Sequence, residues 1–293
     1  MKSGSHNNDV FVDTVGRDAF DGMGGYDTMI YFMRSDPIRV ALSGPHDSFV
    51  YIGGVAEDTL RNIEDIIAGS GNDILSGDDK DNILLGASGD DYLYGGNGPD
   101  QLQGGAGRDF LDGGEGMDWA LYKEQYVPIH ISLSEVGKSI AYVGGVAEDT
   151  LHSIESLQGG THNDTLTGNS ADNTLEGREG RDVLRGNGGA DHFIYDDPSH
   201  GGDVIQDFNP YEKDQIDLDL LSNRQDDQDL SFTGTRASPF SVWYEVVESN
   251  DVMQRNGSAI VKADTDGNVR TAEFSIMLTG VTSLTADDFI LNC

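Results

Sequence analysis

Residues 68–121 divide without remainder into six nines: AGSGNDILS, GDDKDNILL, GASGDDYLY, GGNGPDQLQ, GGAGRDFLD and GGEGMDWAL. The sixth position reads Asp73, Asn82, Asp91, Asp100, Asp109 and Asp118. The eighth reads Leu75, Leu84, Leu93, Leu102, Leu111 and Ala120. A period this strict marks a repeat architecture. Within one nine, the glycines permit a tight turn and close backbone approach. The last three residues form a short strand whose middle side chain points inward. Two nines therefore close one coil of a flattened solenoid, and successive coils stack as parallel strands.

The same phase returns elsewhere. Residues 159–194 read GGTHNDTLT, GNSADNTLE, GREGRDVLR and GNGGADHFI, with Asp164, Asn173, Asp182 and Asp191 at the sixth positions. A short run at 13–30 carries Asp18 and Asp27. A longer period overlies these. GRDAFDGMGGYDTMIY at 16–31 aligns without a gap to GRDFLDGGEGMDWALY at 107–122, and GGVAEDTL at 53–60 recurs at 144–151. Both offsets are 91 residues. We expect a first unit at 1–106 with an insert at 31–67, and a second at 107–197 with an insert at 122–158. A capping segment follows at 198–293. The inserts alternate in hydrophobicity (IRVALSG, IHISLSE) and read as wider coils of two or three strands each. SVWYEVVES, SAIVKAD and EFSIMLTG in the last segment read as strands, with DTDGN at 264–268 as a turn.

Stacking at 18 residues places Asp73, Asp91 and Asp109 in one column and Asn82, Asp100 and Asp118 in another. Asp164 then lies over Asp182, and Asn173 over Asp191. Bare carboxylates this close repel. A hard cation between them, completed by turn carbonyls to six to eight oxygens, removes the repulsion and suits Ca²⁺ better than Mg²⁺. Zinc is disfavoured at these positions, which offer neither sulfur nor imidazole. The composition agrees: 52 Asp and Glu oppose 18 Lys and Arg, for a formal charge of −34. Such a chain repels itself without counter-ions. It also lacks the basic patch that nucleic acid or an anionic membrane needs. No apolar run is long enough to span a bilayer. The one cysteine, Cys293, excludes a disulfide framework. Folding should therefore be linked to metal, with the apo repeats expanded.

These residues resemble the RTX (repeats-in-toxin) proteins, whose unit GGxGxDxUx is matched nearly in full by GGAGRDFLD and GGEGMDWAL. The resemblance covers about 13–221. It implies an all-β, right-handed parallel β-roll with calcium between turns and a small β-rich C-terminal cap. AEFSIMLTGVTSLTADDFIL resembles the closing segment of serralysin-type proteases. That likeness implies an extracellular protein addressed to the type I secretion apparatus, with Asp288, Phe289, Ile290 and Leu291 near the end of the address. It would answer the missing apolar core at the N-terminus. Asn82 and Asn173 at sixth positions, and His162 and Ala171 at fourth positions, depart from the pattern and imply weaker or vacant sites.

The serralysin zinc motif HExxH is absent, as are GxSxG and the P-loop pattern. DTDGN also resembles the start of an EF-hand loop, but Ser275 stands at its twelfth position, which favours a turn. His130, His152 and His162 occur only in the second copy, opposite Arg39, Arg61 and Gly71 in the first. Drift on a surface coil accounts for them. An acid–base site with Tyr142, Tyr122, Tyr126 or Glu155 is the alternative, since histidine suits proton transfer near neutrality. Three functions follow: a non-catalytic calcium-binding protein of the cell surface, matrix or host contact; an extracellular lyase or epimerase on a uronate polysaccharide or small molecule, with its site on the inserts; or the C-terminal part of a larger exported protein.

Overall fold

A computed structural model describes residues 1–221, 230–247, 257–267 and 272–291. About 45% of the chain is strand, and the described residues contain no α-helix. The chain divides into two compact units. The first holds residues 1–122, 136–142 and 146–156; the second holds 123–135, 143–145 and 157–293.

In the first unit the nonapeptides alternate between two parallel ladders. One joins Ile74–Ser76, Tyr92–Asn97 and Phe110–Glu115, in a register that sets Leu75 beside Leu93 and Leu93 beside Leu111. The other joins Asp65–Ile67, Ile83–Ser88, Gln101–Ala106 and Trp119–Leu121, setting Leu84 beside Leu102 and Leu102 beside Ala120. Each step is 18 residues, two nines, as one coil requires. The eighth-position residues Leu75, Leu84, Leu93, Leu102, Leu111 and Ala120 are all buried to within 1%. Burying one leucine contributes about 1.5–3 kcal/mol, so the stripe is the main apolar force holding each thin coil.

The first insert is an antiparallel excursion within a parallel ladder. Ile38–Ala41 pairs antiparallel with Ser48–Ile52, which pairs antiparallel with Val55–Arg61. The outer two strands then pair parallel with the roll: Ile38–Ala41 with Ile74–Ser76, and Val55–Arg61 with Ala19–Asp21. Three strands thus widen one ladder. The other ladder passes directly from Thr28–Ile30 to Asp65–Ile67.

In the second unit Ile129–Ser132, Thr165–Thr167, Val183–Arg185 and Val204–Ile205 form one parallel ladder. Thr174–Glu176, His192–Ile194 and Gln215–Asp217 belong to the other. Both ladders continue beyond the repeats. Ile205 pairs with Leu278 of Phe274–Thr279, and Ile216 pairs with Phe289. Phe274–Thr279 is also the edge of an antiparallel sheet with Ser258–Asp264 and Ser241–Val247.

Candidate metal centres

Each ladder aspartate is placed by the turn that precedes its strand, and its two oxygens have different fates. Oδ1 accepts the backbone N–H of the residue one coil earlier. Asp91 takes the N–H of Asp73 at 2.7 Å, Asp109 that of Asp91 at 2.8 Å, Asp100 that of Asn82 at 2.7 Å, and Asp118 that of Asp100 at 2.8 Å. Asp182 takes Asp164 at 2.7 Å, and Asp191 takes Asn173 at 2.9 Å. Asp73 and Asp27 do the same for Ile38 and Asp9. Oδ2 is the remaining oxygen. In Asp27, Asp73, Asp91, Asp100, Asp109, Asp118, Asp182 and Asp191 it is shielded from solvent and accepts no hydrogen bond.

An ionised carboxylate oxygen left dry and unpaired is costly. Burial accordingly pushes Asp91, Asp100 and Asp109 up to about 7, and Asp73 to about 6. Asp182, buried and with the Asp203 carboxylate beside it, rises to about 8. The glycine at the first position of every nine in 68–121 and 159–194, but the one that begins at Ala68, shows what these oxygens face. A Cβ on Gly86 would stand 2.2 Å from Asp91 Oδ2 and 2.8 Å from the Gly104 carbonyl oxygen. On Gly95 it would stand 2.2 Å from Asp100 Oδ2 and 2.5 Å from the Gly113 carbonyl. Only glycine leaves this cradle of carboxylate and carbonyl oxygens open. An oxygen-only donor set of this kind fits Ca²⁺, and these aspartates with the turn carbonyls would hold it.

The other sixth positions are arranged differently. Asp18 is half-exposed; its Oδ2 receives the Thr14 hydroxyl and Lys2 Nζ, which hold its carboxyl below the usual range. Asp164 has both oxygens engaged by backbone, Oδ1 by Ile129 N–H at 2.8 Å and Oδ2 by Gly160 N–H at 2.7 Å. Asn82 and Asn173 turn Oδ1 to the N–H groups of Asp78 and Asn169. Asn82 Nδ2 donates to the Glu64 carbonyl at 2.7 Å.

Residues outside the nines complete the ladders. Asp58 Oδ1 accepts from Asp18 N–H at 2.8 Å, and Asp149 Oδ1 from Asp109 N–H at 2.9 Å. Glu64 and Glu155 serve Asp27 and Asp118. Asp203 and Asp214 serve Asp182 and Asp191. In the inserts the second oxygen is not left bare. The buried Tyr31 hydroxyl donates to Asp58 Oδ2 at 3.2 Å, and the buried Tyr122 hydroxyl to Asp149 Oδ2 at 3.0 Å. A phenol O–H stands there where the nines present an open oxygen. The duplication at offset 91 marks both pairs in the sequence, Tyr31 with Tyr122 and Asp58 with Asp149, although nothing local to the nine does.

Among the candidate acid–base residues, His152 is half-buried, and its Nδ1 lies 2.9 Å from Asp112 Oδ1 and 3.3 Å from Ser153 Oγ. Tyr142 belongs to the same unit, on Ser139–Val143, and is 41% exposed. His130 stands in the second unit, exposed on Ile129–Ser132 beside Thr165. In DTDGN, Asp264 Oδ1 accepts the N–H groups of Asp266 and Gly267, the latter at φ +80°, which makes a turn; Asn268 lies outside the described residues. Glu273 is brought within 4.8 Å of the Asp264 and Asp266 carboxylates, a closure the twelve-residue EF-hand spacing does not anticipate.

A family model described as the RTX calcium-binding nonapeptide repeat matches residues 67–102, 94–119 and 157–193. No curated protein matches the chain. Several solved structures resemble it, two of them as follows. Extracellular lipase LipA from Serratia marcescens shares 17% identity at a TM-score of 0.28, over 76% of this chain and 40% of the lipase. The AlgE6R3 subunit of the Azotobacter vinelandii mannuronan C5-epimerase shares 23% at 0.20, over 75% of this chain and 77% of that one. The chain thus spans less than half the length of the lipase, and at these scores neither likeness carries an argument about activity. No helix among the described residues is long and apolar enough to cross a membrane. The in-phase nines, their stacked buried carboxylates and the family match together show that this chain carries RTX calcium-binding nonapeptide repeats folded as a parallel β-roll.

Proposed function

We propose that this protein is exported unfolded, folds on extracellular calcium, and acts without catalysis at a cell surface, in a matrix or in host contact. The observation that carries this reading is the row of dry, unpartnered Oδ2 atoms on the ladder aspartates. A roll with those oxygens ionised and bare opposes its own folding; calcium turns the same atoms into the adhesive. Extracellular calcium modules bind at about 10⁻⁴–10⁻³ M, far above cytosolic free calcium, so folding waits for export. In this reading the segment 198–293 is the cap, and its described strands Phe274–Thr279 and Phe289–Ile290 extend the two ladders. Its export address is read before folding, because in the folded protein Asp288 accepts the Thr285 N–H at 2.6 Å and Phe289 is buried.

The experiment is circular dichroism of the full chain in chelator, then in millimolar Ca²⁺ or equal Mg²⁺. Sheet signal that appears with Ca²⁺ and not with Mg²⁺ supports the reading. An unchanged spectrum in chelator overturns it. A second reading, an extracellular lyase or epimerase acting on a uronate polysaccharide or small molecule, draws on the His152–Asp112 pair, since a carboxylate that orients an imidazole is a common acid–base arrangement. NMR of uronate polysaccharides incubated with calcium-folded protein separates the two. New product signals, lost in His152→Ala, establish the enzyme; unchanged substrates leave the non-catalytic role.

A further inference from the structure

One cluster in the second unit has a chemistry that the calcium ladders lack. The ligand atoms of Glu176, Asp196 and His200 all lie within 4.8 Å of one another. Glu176 ends the strand Thr174–Glu176, at the ninth position of its repeat. Asp196 follows the last regular nine, and His200 sits in the short 3₁₀ turn Pro198–His200. Three devices fix this arrangement. Gln158 Nε2 donates to Glu176 Oε2 at 2.6 Å. Asp197 caps the turn, accepting the Ser199 N–H at 2.8 Å and its hydroxyl at 2.7 Å. The His200 N–H closes the turn on the Asp197 carbonyl at 2.9 Å.

Glu176 and His200 are each only 6% exposed. His200 Nδ1 is shielded from solvent and makes no hydrogen bond; Asp196 Oδ1 lies 2.8 Å away, at ion-pair distance without hydrogen-bond geometry. A buried imidazole nitrogen thus faces the Asp196 carboxylate without a hydrogen bond, with the Glu176 carboxylate in the same cluster. Arg178 Nε makes a long ion pair with Glu176 Oε1 at 3.8 Å, and its Nη1 donates to the Lys123 carbonyl at 3.1 Å.

We propose that Glu176, Asp196 and His200 bind one Zn²⁺. Calcium takes oxygen ligands, whereas zinc accepts imidazole nitrogen and carboxylate oxygen together, at about 2.0–2.2 Å per bond. Three protein ligands leave one tetrahedral position for water, on the side where the Asp196 side chain is 42% exposed. The ion ties the nine at 168–176 to the turn that follows the last nine and leads to Asp203. This inference is independent of whether the protein is an enzyme or a scaffold.

The test is calorimetric titration of the full, calcium-loaded chain with Zn²⁺ in excess Ca²⁺. One saturable equivalent is expected. His200→Gln and Glu176→Gln should each weaken it at least about tenfold, the lower bound seen for losing even a supporting partner of a metal ligand, with calcium-dependent circular dichroism unchanged. His46→Gln, at an exposed bend, should leave it alone. X-ray absorption at the zinc edge of the wild-type chain gives a readout that needs no variant: one imidazole among oxygen ligands is expected. Absence of saturable binding, equal affinity in both variants, or a shell of several imidazoles or of oxygen alone would overturn the proposal. The first of these outcomes would leave His200 and Asp196 as an ion pair only.

Discussion

Asp91→Asn separates a calcium ligand from an ordinary turn residue. Asparagine keeps the Oδ1 acceptor that holds the Asp73 N–H at 2.7 Å, and removes only the charge on the dry Oδ2. The chain already carries asparagine at a sixth position, at 82, where Oδ1 takes the Asp78 N–H instead and Nδ2 donates to the Glu64 carbonyl. With a Kd of about 10⁻⁴–10⁻³ M, one filled site in 10 mM Ca²⁺ stabilises the fold by RT ln(1 + [L]/Kd), about 1.4–2.7 kcal/mol. For a unit of this size that corresponds to about 3–10 °C in Tm. The wild type loses this term in chelator and keeps a carboxylate that burial pushes to about 7. The variant has no such carboxylate. Scanning calorimetry in 10 mM Ca²⁺ should therefore show Asp91→Asn less stable than wild type. Circular dichroism in chelator at pH 8 should show it at least as structured. A variant equally impaired in both conditions would refute the assignment and make Asp91 a turn acceptor alone.

Three other perturbations probe the same physics. Gly86→Ala puts a methyl 2.2 Å from Asp91 Oδ2, inside the oxygen cradle, and should raise the calcium midpoint of the sheet signal several-fold, as read by calcium titration. Tyr122→Phe strips Asp149 Oδ2 of its donor and should cost about 1–3 kcal/mol in calcium-loaded denaturant unfolding, the penalty of a buried unpaired polar group. In chelator, lowering the pH should favour the roll. Burial pushes Asp73 up to about 6, Asp91, Asp100 and Asp109 to about 7 and Asp182 to about 8, against about 4 for an unfolded aspartate, so the folded chain binds more protons between those values and its stability falls as pH rises. Calcium competes with those protons, so its midpoint should rise as pH drops below about 7; titrations at pH 5.5 and 8 check both signs.

The coil, its 18-residue stacking and the inward leucines were legible from GGAGRDFLD and its neighbours, because the nine is a local instruction repeated in phase. The columns Asp73/Asp91/Asp109 and Asp100/Asp118 follow from that phase alone. What continues the ladders did not. Asp149 lies 40 residues beyond Asp109, Glu155 lies 37 beyond Asp118, and Asp203 and Asp214 lie 21 and 23 beyond their partners. Those spacings depend on how the intervening segment folds. Asp18 and Asp164 look like their neighbours in the repeat pattern, but Lys2, Thr14 and the Gly160 and Ile129 amides decide where their oxygens go. The grouping of Glu176 with His200 needs the 3₁₀ turn, which the repeat pattern does not encode.

The backward reach of each ladder carboxylate gives the stack a polarity. A coil's own amide is answered only by the coil that follows it in sequence. Wherever the stack is interrupted, the last coil on the N-terminal side therefore has its donors unmet, waiting for the residues that follow. At the far end, Asp203 and Asp214 answer Asp182 and Asp191 from outside the repeat register. Adding or deleting a whole pair of nines in the interior should leave every handshake intact. Cutting before Asp203 would leave the final coil asking for a partner that no longer exists.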